Sequence, residues 1–288
     1  TSETPRLYRT SDGGNTWNQV SVPGLASYGI QDIHFIDGQT GYAVGGMDGV
    51  NLWRTTDKGV TWYELEGEGL YVPIAIRKTD AGLVVTDFFK ELILSTDGGQ
   101  SFIKQNTSPI PESHLGIDFV DSVHGVVDGN YRQSTSSWYY TEDGGKTWKP
   151  NGTKMESWSI YGQKGTPNFF ACPEGYSNSP STFSDVYRST NYGKSFSTAF
   201  RFQFQMIGDI QGAGDILYTQ SAAAGTNNQG VYRSTDLGSS WQLIGGYNAF
   251  GDTRFSVVPE CGGNIIFIAD KNGAIYRATD DIGTGTGG

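Results

Sequence analysis

The sequence predicts an all-β fold: a β-propeller of four-stranded antiparallel blades, six by a count of inner strands and seven by a count of repeats. Three observations predict it. An eight-residue pattern recurs along the whole chain at steps of 40 to 48 residues. The 288 residues include 41 glycines and 16 tyrosines but 3 methionines, which suits short strands joined by tight turns. No sustained stretch places apolar residues at helical spacing.

The recurring pattern opens at Thr10 (TSDGGNTW), Thr55 (TTDKGVTW), Ser95 (STDGGQSF), Thr141 (TEDGGKTW), Ser189 (STNYGKSF) and Ser234 (STDLGSSW). A seventh copy begins at Ala278 as ATDD and decays. The aligned positions are Asp12, Asp57, Asp97, Asp143, Asn191, Asp236 and Asp280, at steps of 45, 40, 46, 48, 45 and 44 residues. Such a period marks a propeller or another stacked array.

One repeat shows why four strands fit. Ile30 to Asp37 alternates polar and apolar residues, the signature of a half-buried strand. Gly41 to Gly46 reads as a second strand, Val50 to Thr56 as a third and Thr61 to Glu66 as a fourth, with turn residues between them. We call these strands A to D, outward from the axis. The recurring octet is then the C–D turn. Its acid accepts backbone N–H groups of its own turn, its fifth-position glycine takes a positive φ, and its closing Trp or Phe buries a ring between blades. An Arg precedes five copies (Arg9, Arg54, Arg188, Arg233, Arg277), its stem expected over a neighbouring ring with the guanidinium in water. Positions spread around a rim do not converge on one ligand, so Asp12, Asp57, Asp97, Asp143, Asn191 and Asp236 are expected to be structural.

The octet resembles the Asp-box, or bacterial neuraminidase repeat, of sialidases, sortilin-type receptors, xyloglucan-cleaving enzymes and many secreted propellers. IHFIDGQTGYAVGG…LWRTTDKGVTW and GIDFVDSVHGVVDG…YYTEDGGKTW are more closely similar to photosystem II assembly/stability factor-like propellers. The chain departs from the box pattern at Asn191, at Phe102 and Phe196, and in the decayed last copy. The resemblance implies a propeller and leaves the activity open, because one fold hosts many functions.

Inner strands are expected near Ile30, Tyr71, Leu115, Trp158, Phe204 and Arg254, which makes six. The N-terminus supplies a C–D hairpin and the C-terminus supplies A, B and C. Residues 1–281 are read as a single propeller and 282–288 as a Gly/Thr-rich tail or linker.

The net charge of −10 argues against nucleic acid as a partner and against docking on an anionic membrane. No apolar run reaches membrane-spanning length. Cys172 and Cys261 lie in different repeats and are read as two separate thiols. Asn106-Thr107-Ser108 and Asn151-Gly152-Thr153 match the glycosylation acceptor pattern. His34, His114 and His124 do not cluster as metal ligands, and neither a metal nor a cofactor is expected.

Boxes and A–B hairpins occupy one face of such a propeller, B–C and D–A loops the other. The long, irregular connections all map to the second face, where function usually sits. Its candidate ligand residues are Tyr71, Asp87, Tyr131, Arg132, Trp158, Tyr176, Arg201, Tyr247 and Arg254. Aromatic platforms beside hydrogen-bonding groups suit a sugar or a peptide. A sialidase-like site would need three axial arginines, for which Arg77, Arg201 and Arg254 are the candidates. The sialidase Arg-Ile-Pro motif is absent. A xyloglucanase-like site would need two facing carboxylates, and the face acids Asp87, Glu91, Asp128, Glu156, Glu174 and Asp252 show no spacing that singles out a pair.

The reading is a non-catalytic binding or display module, secreted, periplasmic or at the cell surface, that takes a protein or a glycan on the loop face. A glycoside hydrolase on that same face and an architectural domain of a larger surface protein are the alternatives.

Overall fold

The computed structural model describes residues 5–25, 29–46, 51–65, 71–87, 90–104, 116–128, 138–153, 157–173, 183–203, 207–221, 230–246, 254–260, 263–269 and 274–281. Every element there is a strand. An N-terminal hairpin joins β1 (Leu7–Arg9) to β2 (Asn18–Val20) across the first box. Blade one is β3 (Ile30–Phe35), β4 (Gly41–Gly45), β5 (Leu52–Thr55) and β6 (Tyr63–Glu64). Blade two is β7 (Pro73–Thr79), β8 (Gly82–Asp87), β9 (Lys90–Ser95) and β10 (Ile103–Lys104). Blade three is β11 (Ile117–Phe119), β12 (Gly125–Val127), β13 (Tyr139–Thr141) and β14 (Lys149–Pro150).

Blade four is β15 (Ser157–Gly162), β16 (Phe169–Pro173), β17 (Phe183–Ser189) and β18 (Ser197–Gln203). Blade five is β19 (Ile207–Ala213), β20 (Ile216–Ser221), β21 (Gly230–Ser234) and β22 (Gln242–Gly246). Blade six has three described strands, β23 (Arg254–Glu260), β24 (Gly263–Ala269) and β25 (Ile275–Asp280). Strands within each sheet follow chain order and pair antiparallel. The fold is therefore a β-propeller of six blades, counted by inner strands. As the strand count anticipated, the N-terminus supplies a C–D hairpin and the C-terminus strands A to C. The tail, 282–288, lies outside the described residues.

The chain divides into two compact units, Thr1–Glu156 with Tyr192–Lys194, and Ser157–Asn191 with Ser195–Gly288. The short segment Tyr192–Lys194 is a box turn, and it clusters with the first unit because it packs there: Gly193 lies against Val126, and Tyr192 stacks on His124 at 4.1 Å.

Packing explains this. The cores lie between successive blades. Tyr42, Val44 and Leu52 of blade one pack with Ile76, Leu83, Val85 and Ile93 of blade two around Phe102. Trp148 joins Val84, Leu92 and Leu94 of blade two to Phe119, Val127 and Tyr139 of blade three. Trp241 packs with Phe170, Val186 and Phe202 of blade four and Leu217 and Tyr232 of blade five. Each is a box-closing ring, and burying such a side chain contributes roughly 1.5–3 kcal/mol. The Trp148 and Trp241 indoles also donate to their own boxes, to Gly145 O at 3.0 Å and Gly238 O at 3.1 Å.

The fourth box position carries a constraint that the octet pattern hides. Its N–H donates to the A–B turn of its own blade: Lys58 to Gln39 O and Gly144 to Val123 O, each at 2.9 Å. Its carbonyl accepts from the preceding blade. Arg9 Nε donates to Lys58 O at 2.9 Å, Tyr42 Oη to Gly98 O at 3.3 Å, Thr79 Oγ1 to Gly144 O at 2.8 Å and an Arg188 guanidinium nitrogen to Leu237 O at 3.0 Å. A peptide that serves both directions here turns through the left-handed region. Lys58, Tyr192 and Leu237, all at this position, are the non-glycine residues with positive φ among those described, at 63°, 60° and 56°. The preceding arginines at 9 and 188 are thus interblade donors rather than solvated heads. Arg54 instead lies over the Tyr42 ring at 5.9 Å.

Two substitutions separate space from backbone conformation. At Gly193 (φ +78°) an added Cβ would lie 2.1 Å from Val126 Cγ2. Gly193→Ala is expected to lower the urea unfolding free energy by more than about 2 kcal/mol. Lys58→Gly relieves a left-handed residue at the cost of chain entropy and is expected to fall between neutral and about 1 kcal/mol stabilising. Equal losses for the two would reject this account of the turn.

Candidate functional site

The B–C and D–A loop face is entered where strands B end and strands A begin. There Asp87, the last residue of β8, is fully buried. Its Oδ2 accepts the backbone N–H groups of Tyr71 at 2.7 Å and Val72 at 2.8 Å. Asp128, just past β12, repeats the arrangement by accepting Gly116 N at 3.0 Å, and its own N–H donates to Gly116 O at 3.1 Å. Both carboxylates pin the chain entering an inner strand. Asp87 was expected on this face as a ligand residue and Asp128 as one of its acids; both hold backbone N–H groups there. Tyr71, whose N–H Asp87 holds, is 47% exposed at the rim.

Four inner strands carry a register shift near this end: Ile30/Asp32 in β3, Pro73/Ala75 in β7, Ser157/Ser159 in β15 and Ile207/Ile210 in β19. Trp158 is the extra residue of the third. Such bulges re-aim side chains and are frequent beside sites. Just past the bulge a polar residue reaches the next blade. Asp32 Oδ2 accepts Ile76 N at 3.0 Å, and Ser159 Oγ accepts Ile210 N at 3.0 Å while donating to Asp209 Oδ1. Asp32, Asp118, Ser159 and Asp209 were not singled out from sequence. Their signal, one polar residue in the first half of an apolar inner strand, is visible once the strands are aligned.

Arg77 on β7 bridges three blades. It donates to Asp32 Oδ2 at 2.5 Å and Asp118 Oδ1 at 3.1 Å. Burial works against its charge, but the two carboxylates outweigh burial and raise its pKa. A guanidinium so neutralised is committed before any substrate carboxylate arrives. Strand A of blade five starts at Ile207, so Arg201 sits on the outer strand β18 rather than on the axis. There it forms a bidentate pair with Asp185 of β17, at 2.6 and 2.8 Å. Arg201 is therefore not on the axis as the expected trio of Arg77, Arg201 and Arg254 requires.

Arg254 begins β23 and Trp158 lies on β15, but their side chains are outside the described residues, as is that of Glu91. Tyr131, Arg132, Tyr176, Tyr247, Glu156, Glu174 and Asp252 also lie outside them, with His114, Cys261 and Asn106. Cys172 on β16 is fully buried, and burial pushes its thiol pKa up. Asn151 donates its amide to Gly193 O at 2.7 Å, which makes that acceptor triplet part of a blade contact. His124 bonds Asp121 at 2.8 Å in an A–B turn on the box face. Among the described residues no three His, Cys, Asp or Glu side chains gather as a metal set.

The box acids behave as the octet predicts. In the fourth box Thr141 Oγ1 donates to Asp143 Oδ1 at 2.8 Å, which also accepts Thr147 N at 2.9 Å; Oδ2 accepts the Thr147 hydroxyl at 2.5 Å. Asp12, Asp57, Asp97 and Asp236 repeat this pattern. Asn191 keeps it, its amide nitrogen donating to Ser195 Oγ at 2.9 Å. Hydrogen bonds from the seventh-position hydroxyl, then its N–H, hold Asp12 and Asp57 at about 2. At Asp143 partial burial pushes upward but is outweighed by Thr147 and Thr141, and the pKa is again lowered. Asp280 departs from its aligned relatives: it accepts Arg233 at 2.7 Å and Tyr218 Oη at 2.7 Å, both from blade five.

Comparison with known proteins agrees with the repeat. The BNR/Asp-box repeat family model matches residues 139–150. No curated protein matches the chain. Among solved structures it resembles YCF48 bound to a D1 peptide, at TM-score 0.64 and 17% identity over 88% of this chain and 79% of that one. It also resembles the GH74 xyloglucanase from Xanthomonas campestris, at TM-score 0.68 and 12% identity over 96% of this chain and 51% of that one. An ancestral GH74 enzyme matches at TM-score 0.60 and 17% identity, over 88% of this chain and 38% of that one. The chain thus spans about half or less of these two enzymes. At these identities the likeness shows the fold.

The depressed acids set an acid limit on stability. A carboxylate with a folded pKa below its unfolded value stabilises above the unfolded pKa, and that contribution fades as pH falls through the folded one. With unfolded values near 3.8 and Asp12 and Asp57 near 2, the urea midpoint is expected to fall between about pH 4 and pH 2. Asp57→Asn, which imitates the natural Asn191 box, should shallow that fall. An unchanged slope would remove the box acids from the acid limit.

Proposed function

We propose that this chain is a binding module that holds an extended protein segment on its B–C/D–A loop face, and that it works outside the cytoplasm. The observation that carries the reading is the fate of the charged groups near that face. Asp87 and Asp128 are buried as caps, and Arg77 and Arg201 are tied to aspartates. Catalytic carboxylates need exposure to the substrate and a separation suited to the chemistry; these two hold backbone instead. Beside them the face offers an exposed Tyr71 ring, whose backbone N–H Asp87 holds, and inner strands that carry bulges at the same end. Aromatic anchors on a rigid frame suit peptide capture. The structure of YCF48 bound to a D1 peptide supports a propeller of this fold taking a peptide. Acidic composition favours a ligand that is basic or uncharged.

The test is a peptide array run beside a glycan array and a hydrolase substrate panel. Peptide binding without turnover is expected, at least tenfold weaker for Tyr71→Ala with an unchanged thermal midpoint. Asp87→Ala strands two backbone N–H groups and is expected to cost roughly 1–3 kcal/mol of stability. Turnover abolished by Asp87→Asn in a chain that stays folded would overturn the reading, and glycan binding alone would redirect it.

A further inference from the structure

Arg77 is held from two sides and keeps one group free. Its Nε donates to Asp118 Oδ1 on β11 at 3.1 Å, and its Nη1 donates to Asp32 Oδ2 on β3 at 2.5 Å and to Ile76 O at 2.7 Å. Asp32 Oδ2 also accepts the Ile76 N–H at 3.0 Å. Among the described residues, neither Arg77 Nη2 nor Asp32 Oδ1 makes a hydrogen bond. Neither of these two atoms is itself buried, and the side chains that carry them are 20% and 22% exposed. Burial nevertheless works against the Arg77 charge. A group that protein surrounds and solvent still touches lines a concave wall. The three strands involved, β3, β7 and β11, all belong to the first compact unit.

The two atoms set a donor beside an acceptor. Oδ1 shares its carbon with the Oδ2 that holds Nη1, and Nη2 shares its carbon with that Nη1. Each is thus fixed by the bonds of its twin, and a ligand meets the pair preorganised. A neutral carboxamide satisfies both: its carbonyl accepts from Nη2 and its N–H donates to Oδ1. A carboxylate would set an oxygen against Oδ1. An ammonium would set its N–H groups against Nη2. Two carboxylates on one guanidinium also leave a net negative charge, which turns away an acidic ligand. A site built to hydrogen-bond one polar group discriminates more strongly than an apolar pocket does between side chains of similar size.

We infer that this pair recognises the side-chain carboxamide of a glutamine or asparagine in the bound segment. The inference deepens the peptide reading above and rests on it. Depth favours a side chain over main chain. Asp32 is the third residue of β3, roughly 7 Å along the strand from Ile30, where the loop face is entered. Main chain that crosses the rim stays above that depth, and a carboxamide on a flexible stem descends to it. Glutamine has the longer reach of the two. Tyr71 stands exposed at the rim of blade two, the blade that carries Arg77, so ring and pair serve one segment.

The probes are four N-acetyl amino-acid methylamides, of glutamine, alanine, glutamate and lysine, each titrated into the full chain. Chemical shifts of the Ile76 amide and the Arg77 Nε–H report binding. The glutamine probe is expected to saturate in about the millimolar range, as suits so small a ligand. The other three should bind at least tenfold weaker. Asp32→Asn leaves the carbonyl oxygen toward Arg77 and Ile76 and turns an NH2 group outward, so the pair becomes two donors. Its preference should pass from the glutamine probe to the glutamate probe, a change that loss of structure does not imitate. Should that variant unfold, the wild-type series alone decides. Equal binding of the alanine probe would overturn the proposal in favour of main-chain contact, and tighter binding of the lysine probe in favour of a cation. Glutamine shifts that never saturate would overturn it too. An array without peptide ligands would remove the loop-face reading and leave this titration readable. Peptide shifts at Tyr71 with none at Ile76 or Arg77 would keep that reading and overturn the carboxamide site.

Discussion

The structure depends on one recurring peptide group, the fourth position of the Asp-box. At Lys58 its N–H is bound to Gln39 of its own blade and its carbonyl to Arg9 of the N-terminal hairpin; at Gly144 the N–H is bound to Val123 of its own blade and the carbonyl to Thr79 of the blade before. The carboxylate at the third position holds the turn in the shape that permits this, and the closing ring buries the contact. A buried hydrogen bond contributes about 1 kcal/mol net, and leaving its partner unmade costs more. Repetition of such bonds and rings along the chain makes blades adhere that share no strand pairing.

Much of this was legible in the sequence. Box spacing gave the blade period, and alternation in IQDIHF and the turn residues of FIDGQTGY located β3 and β4 within a residue or two. The role of the third-position acid followed from its residue type. Legibility stopped where function depends on the partner of a side chain rather than on its kind. Asp87 and Asp128 look alike as face acids until the start of strand A is known to lie against them. Arg201 looks axial until β18 is seen to extend to Gln203, which leaves it on an outer strand. Positive φ at Lys58, Tyr192 and Leu237 escaped because three residues so unlike share no type, only a position.

The same logic separates scaffold from site. Among the described residues, polar groups on the inner strands hold blades together: Asp32 with Arg77 and the Ile76 amide, Ser159 with Asp209 and the Ile210 amide. The exposed Tyr71 ring is left for the ligand proposed above. A repeat fold can keep its blades constant and vary its loops, which is how one architecture serves a peptide-bound protein and polysaccharide hydrolases alike.

Native-state hydrogen exchange at the box amides tests the central claim most directly. Gly59, Gly99, Gly145 and Gly238 each donate their N–H to the first-position hydroxyl within a turn that would otherwise be solvent-facing. If boxes bind blades together, these amides should exchange only on the opening that releases core strands, with protection matching that of Val84 and Leu217. Exchange at the rate of an exposed loop, with the strands still protected, would show that the boxes are ornaments on blades held by something else.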